Sequence, residues 1–322
     1  MSEIVSAEPA AAGRASSMRP PPRSARYQRL RAALAPLPWI GPAIVLIALV
    51  VIWPVVVMIQ TSFQNVSALG ITLGSAGLRN YSAVLTNPNL PGIMVRTVVW
   101  VVAVVGITIF IALGLAELFN QRFPGRRVAR WGIIAPWAAS VLMTALIFRW
   151  MLDADHGVIN VFLHGLGIVP GFNSNEADWL GRPDSALAWM IAVAVFVSLP
   201  FTTYVLLAGL QTIPGELREA ARVDGASPWQ SYRRITLPLL RPALLIGVVI
   251  NLMNVFNSFP IIWEMTNGGP GYQTSTSTIF MYDLKNTFVG QSAAMSIINF
   301  AVVVVIVAAF IRLNRRSLQE AR

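Results

Sequence analysis

Long apolar runs separated by short polar ones dominate the chain. A helix needs about 20 apolar residues to cross a bilayer core of about 30 Å. Six runs reach that length: about Pro38–Ile59, Ile93–Leu118, Val128–Met151, Ala186–Leu210, Leu239–Trp263 and Ala293–Ile311. Unpaired backbone groups are too costly in lipid, so the pattern predicts helices. The expected fold class is all-α: a polytopic membrane protein with six transmembrane helices. Residues 1–37 are rich in Ala, Pro, Arg and Ser and have no apolar periodicity. They read as a disordered basic tail. The run that follows is too long for the apolar region of a signal peptide, so it reads as a retained first span. Residues 314–322 form a second short tail, leaving 38–313 as the membrane domain.

Composition supports this division. Of 322 residues, 55% are hydrophobic and only 12% charged, against about a quarter charged in soluble domains. The net charge of +10 admits a nucleic-acid partner until the charges are placed. Nineteen of the 24 basic residues fall in the N-terminal tail, in the loops after the second and fourth spans, or at the C-terminus. All of these lie on one side of a six-span plan. The positive-inside rule then puts both termini in the cytoplasm, and topology accounts for the basicity without nucleic acid. Cys is absent, which excludes disulfides, thiolate nucleophiles and Cys-based zinc sites. The acids Asp153 and Asp155 invite a metal or acid–base reading, but no ligand spacing supports one, and a solvated outer loop explains them. No metal and no catalytic residue is expected.

The most charged interior stretch, Glu219 to Pro238, "EAARVDGASPWQSYRRITLP", carries start and stop signals. Residues 211–242 read as two short helices joined by a turn. Pro214 suits a first helical turn, and Glu216 and Glu219 suit the positive end of a helix dipole. Gly225 is placed to end that helix, since Gly tolerates positive φ. Ser227, Pro228 and Gln230 match a cap, an N1 proline and a capping box for a second helix. A DNA-binding helix–turn–helix is the first competitor, but membrane spans tie both ends to the lipid surface. An ordinary connecting loop is the other. The defined signals favour a rigid knob presented to a partner.

The run Glu219-Ala220-Ala221, Asp224-Gly225-Ala226, then Ile235, Leu237 and Pro238 resembles the EAA loop of ABC-importer permeases. Two further stretches resemble the sugar type of that family: "TNGGPGYQT" with Gly268, Gly269 and Pro270, and "FRWMLDADHGVIN" with Trp150, Gly157 and Asn160. The resemblance implies a type I importer permease in the cell inner membrane, of the kind that forms the first subunit of maltose or glycerol-phosphate systems. It implies that loop 211–238 couples to ATPases through Glu219, Ala220, Ala221, Asp224, Gly225 and Ala226. It also implies the partners: a second, non-identical permease, two ATPase subunits, an external substrate-binding protein and the lipid bilayer. The chain has no G-x-x-x-x-G-K-[ST] signature, so it binds no cofactor, and ATP with Mg belongs to the partner ATPases.

The fifth span holds the candidate pathway residues. Asn251, Asn254, Asn257 and Ser258 lie in an apolar run, and buried amides in lipid should face inward. They would bond sugar hydroxyls or, equally, glue helices together. Pro260 is positioned to kink this helix and open a cavity. Trp150, Trp189 and Trp263 read as an interfacial belt. No ionisable residue lies near the middle of a span, which argues against ion-coupled transport and a strongly charged solute. The expected function is uptake of a sugar or sugar derivative by alternating access. The same machinery carrying glycerol phosphate, a polyol or a polyamine is the alternative. A membrane-embedded transferase is a remote one, lacking the acid cluster and donor motif it would need.

Overall fold

The computed structural model describes residues 37–67, 69–168 and 177–319. The tail expected at 1–37 therefore lies outside the described residues, apart from Leu37. The chain divides into two units, residues 1–56 and 57–322. In the first unit, helix α1 (Leu37–Ile47) passes through a π-helical turn at Ala48–Ile52 into the start of α2 (Trp53–Ser62), whose residues from Val57 onward belong to the second unit. Its side chains are apolar and almost all exposed, from Trp39 to Ile52. Such a helix has no soluble use for its surface, and lipid is the solvent that suits it.

The second unit is built on two long helices, α4 (Leu90–Asn120) and α8 (Pro183–Gln211). They pack together, and α12 (Arg241–Phe256) lies against both. Trp100, Val104, Met190, Val193 and Ile262 are fully buried in this core. Trp100 also donates its indole N–H to Val255 O at 3.0 Å. Close approach depends on small residues: a Cβ on Gly209 of α8 would lie 2.4 Å from Ala243 Cβ of α12. Membrane helices associate through such contacts, because lipid gives no hydrophobic drive between them. Before α4 come a two-stranded antiparallel ribbon, β1 (Gln64–Val66) and β2 (Thr72–Ser75), and the short α3 (Arg79–Leu85). The ribbon's first strand is pinned by Asn80, which donates to Ser62 O and Gln64 O, both at 2.9 Å.

Two of the six expected spans are broken. The third consists of α5 (Arg126–Trp137) and α6 (Val141–Met151), with Ser140 in an extended cap between them. The fifth consists of α12 and α13 (Pro260–Thr266), separated by Asn257–Phe259. Its break follows from Pro260, which lacks an N–H and whose ring would collide with the carbonyl four residues back, at Phe256. The helix stops there and restarts with the proline in its first turn. The expected kink is a full interruption. Among the described residues four helices are long and apolar enough to cross a membrane: Pro38–Ser62, Leu90–Asn120, Pro183–Gln211 and Val289–Arg312. A fifth is completed if Pro228–Leu239 and Arg241–Phe256, bent by 66°, count together. The last helix, α15, runs Val289–Gln319, well past the sixth span's expected end.

Candidate functional site

Two constellations carry the chemistry expected of the chain, one in the connection after α8 and one at the helix breaks. In the connection, α9 (Gly215–Val223) is followed by α10 (Pro228–Ser231), a π-helical turn at Tyr232–Thr236 and the short α11, Leu237–Leu239. Pro214 caps α9 from outside rather than sitting in its first turn. The elbow is closed on both sides. Gly225 has φ of 79°, and its N–H bonds Arg222 O at 3.1 Å while Ala226 N–H bonds Ala221 O at 2.9 Å. Those are the two bonds of a Schellman stop. Two residues on, Gln230 N–H bonds Ser227 Oγ at 3.3 Å and Ser227 N–H bonds Gln230 Oε1 at 2.9 Å. That reciprocal pair is a capping box. Stop and start leave no free residue between them, so the turn is stiff.

The family-type residues of this loop divide by exposure. Ala221 is buried and Ala226 half-buried, while Glu219, Ala220, Asp224 and Gly225 face out beside exposed Val223 and Trp229. The inward side is anchored to α4. Arg218 Nη1 lies 3.6 Å from Glu117 Oε1, and Glu117 Oε2 is buried with no hydrogen-bond partner among the described residues. A carboxylate near a helix C-terminus is disfavoured by the dipole, so Arg218 supplies a compensating charge. Tyr232 lines the same cleft, of about 500 Å³, with Glu117, Gln121 and Arg222. Burial, reinforced by the charge of Glu117, holds its phenol above the ordinary range. The charge of Glu117 alone gave no sign of this pairing. The partner Arg218 is about a hundred residues away in sequence.

The second constellation is a cavity of about 520 Å³. Asn251, Asn254, Asn257 and Ser258 all line it, although Ser258 lies beyond the end of α12 rather than on the helical face shared with Asn251. Trp137 and Val141, which flank the break in the third span, line it as well, with Ser198 and Phe201 of α8. Both helix breaks thus open onto one space. Irregular backbone at membrane depth is tolerated where it lines a cavity. The amides differ in availability. Asn251 is buried and donates to Thr202 Oγ1 at 2.7 Å and Gly247 O at 2.8 Å. Asn257 donates to Met253 O at 2.9 Å. Asn254 is exposed to the cavity and has no hydrogen bond among the described residues. Among the described residues, no Asp, Glu, Lys or Arg lines the space.

The remaining motif residues are brought to neither place. Gly268, Gly269 and Pro270 form a turn closed on itself. Thr274 Oγ1 bonds Gly269 O at 2.6 Å and Ser275 Oγ bonds Gly268 O at 3.0 Å. Asn160 is a buried hub. Its amide donates to Asp153 O at 2.8 Å and Ala177 O at 3.0 Å, and it accepts Trp179 Nε1–H at 2.6 Å. Gly157 sits where a Cβ would strike the Met151 and Asp153 backbone. Trp150 is exposed, as a belt residue would be, but Trp189 packs edge-on to Trp179, and Trp263 stacks on Phe259. Arg149 donates to Glu264 O at 3.0 Å and Arg96 to Ser275 O at 3.5 Å. Asp153, Asp155 and His156 bring possible ligand atoms within 4.8 Å of one another, all exposed. Asp153 Oδ1 already accepts the N–H groups of Asp155 and His156, which is the chemistry of a turn.

The family profile of the binding-protein-dependent transport system inner membrane component matches residues 105–319. The chain belongs to that family. It is 39% identical over 281 residues to a probable ABC transporter permease protein of Brucella suis, covering 87% of this chain and 96% of that protein. It is 32% identical over 299 residues to the sulfoquinovosyl glycerol transport system permease protein SmoG of Agrobacterium fabrum, covering 91% and 94%. It is 33% identical over 240 residues to the trehalose/maltose transport system permease protein MalF of Thermococcus litoralis, covering 74% and 79%. Among solved structures, the fold resembles a chain of a bacterial ABC transporter involved in import of the acidic polysaccharide alginate, with a TM-score of 0.76. The sequences are 21% identical, and the match covers 92% of this chain and 99% of that one. The chain is therefore a non-catalytic permease subunit of an ABC importer, a multi-pass protein of the inner membrane.

Proposed function

We propose that this permease carries an uncharged sugar or sugar derivative through the cavity where its third and fifth spans break. The observation that supports the reading is the lining itself. Asn254 offers a free amide, Asn257 and Ser258 offer polar atoms, and Trp137 and Phe201 offer flat apolar faces. Hydroxyl-rich rings are bound by such mixtures of amide and aromatic side chains. Discontinuous helices at a midplane site are a recurrent device of transporters. The absence of any charge in the lining disfavours glycerol phosphate and polyamines against sugars and polyols. The relative named above for trehalose/maltose agrees with that class; the one named for sulfoquinovosyl glycerol, whose sulfonate is charged, agrees with a sugar derivative but not with an uncharged one.

In this reading both termini are cytoplasmic, the two broken runs complete six spans, and the membrane domain is residues 38–313. Loop 211–238 meets a cytoplasmic ATPase with the exposed family-type residues of 219–226, namely Glu219, Ala220, Asp224 and Gly225, and meets α4 with its buried side. Closure of two ATPases on ATP and Mg moves the loop, and the loop moves α12, which carries Asn251 and Asn254. A second, unlike permease completes the cavity, and an external binding protein delivers the solute. Growth of a deletion strain on a panel of carbohydrates identifies the solute. Uptake by the Asn254→Ala transporter then tests the pathway. KM for that solute should rise about tenfold or more, as expected when a hydrogen bond to substrate is lost, and an unchanged KM overturns the assignment.

A further inference from the structure

Helix α7, Val158–Gly165, bares one apolar face while burying a polar side chain. Inward lie the polar hub Asn160, 1% exposed, and Ile159, which packs against the core, while Val158, Val161 and Phe162 are 65%, 52% and 66% exposed. At spacings of three and four these three share one helical face. Leu166 and Ile168 extend the exposed apolar surface beyond the helix. A soluble protein would turn such a stripe towards its core.

Position explains the bare face. Gly157 N–H bonds Asp153 O at 3.0 Å, and a Cβ on Gly157 would lie 2.6 Å from Met151 O. The start of α7 therefore rests on the last turn of α6. Ile147 and Trp150 of α6 are exposed too, and they form one groove of about 410 Å³ with Met151 and Val158, rimmed by Asp153 and His156. The bare apolar surface of the third membrane run thus meets that of α7 where Met151 and Val158 share the groove, beside its polar rim. Trp150 is at the seam, and Trp is the side chain that favours the lipid–water boundary. One membrane-length helix, α8, separates this end of the unit from the Gly225 elbow.

We propose that α7 is an interfacial helix whose Val158, Val161 and Phe162 face lies in lipid, in the leaflet opposite the Gly225 elbow, with lipid also filling the groove against Trp150. Amphipathic helices of this kind sink their apolar face about 5–10 Å into the headgroup–acyl boundary. Here the hydrogen bonds of Asn160 hold the helix at that depth instead of a basic polar face. The inference rests on the membrane assignment alone and is independent of the solute carried.

The chain has no Cys, so single thiols report cleanly. Val161→Cys, Phe162→Cys and, as a water-exposed reference, Asp155→Cys are spin-labelled in the assembled transporter. The samples are placed in vesicles of phosphatidylethanolamine and phosphatidylglycerol. Collision with oxygen is compared with collision with a water-soluble nickel chelate. The oxygen-to-nickel ratio at positions 161 and 162 should exceed that at 155 by about fivefold or more, the pattern of a shallow lipid depth. A ratio equal to that at 155 places the face in water and overturns the proposal. Low collision with both reagents means that protein covers the face, and overturns it equally. Val158→Cys serves in place of either variant that fails to assemble. Because no step measures transport, failure of the sugar assignment leaves this result readable.

Discussion

Gly225 has space for a side chain but no suitable backbone for one. Nothing lies within 4 Å of an added Cβ, yet φ is 79°. A substitution there acts through the dihedral alone, at about 1–2 kcal/mol for an L-residue in the left-handed region. Gly225→Val should therefore leave membrane insertion intact while transport is lost and ATP hydrolysis is reduced or uncoupled. Gly225→Asn should retain most activity, because Asn visits that region more readily. Uptake and ATPase assays on the reconstituted transporter decide it; full transport by the Val variant contradicts a stiff elbow. The amides of the fifth span separate in the same way. Asn251→Ala removes the bond to Thr202 and should lower stability by about 0.6–1.7 kcal/mol, the range for interhelical bonds in membranes. Asn254→Ala should leave the detergent melting curve unchanged, since it breaks no hydrogen bond among the described residues. Asn160 carries three bonds at once, so its role in the family-type segment is to tie a loop rather than to touch a solute.

At the scale of elements, local chemistry was legible and long-range chemistry was not. The Schellman stop and the capping box were readable because their donors and acceptors lie within six residues. Four of the six apolar runs were readable as membrane-length helices because lipid imposes a length. The break after Phe256 was half readable: Pro260 announced a disturbance, but the Trp100 N–H that bonds Val255 O beside it comes from α4, far away in sequence. The break at 138–140 had only Pro136, which marks a disturbance of the run but not a stop after Trp137. Glu117 illustrates the limit, since its partner comes from another element. Its pairing with Arg218 joins α4 to α9, and both side chains are about two-thirds buried. A double-mutant cycle with Glu117→Gln and Arg218→Gln, read by thermal unfolding, should give a coupling of about 0.3–1 kcal/mol. The charge-reversed pair should recover part of the transport that each single reversal loses. A cycle energy of zero would mean that α9 is held by packing alone.

For the whole molecule, alternating apolar and basic segments make orientation measurable. Thiols placed at residues 219–226 should react with membrane-impermeant reagents only in inside-out vesicles, whereas a thiol at 155 should react only from the outer face. The opposite result reverses the proposed topology. The chain alone should hydrolyse no ATP. The interruption at Asn257–Phe259 sets how any movement is shared. On one side of it, Trp263 packs among Phe259 and Tyr282 with centroids 5.3 and 4.7 Å away, and α13 abuts α6 and α8. On the other side, α12 continues through a 66° bend into the loop. In the proposed reading, a rod divided in this way would work as a crank, with its packed arm held while the arm joined to the loop turns. The aperture at Asn254 is then governed by an angle, so that a modest stroke at the elbow is geared into a change of width many residues away.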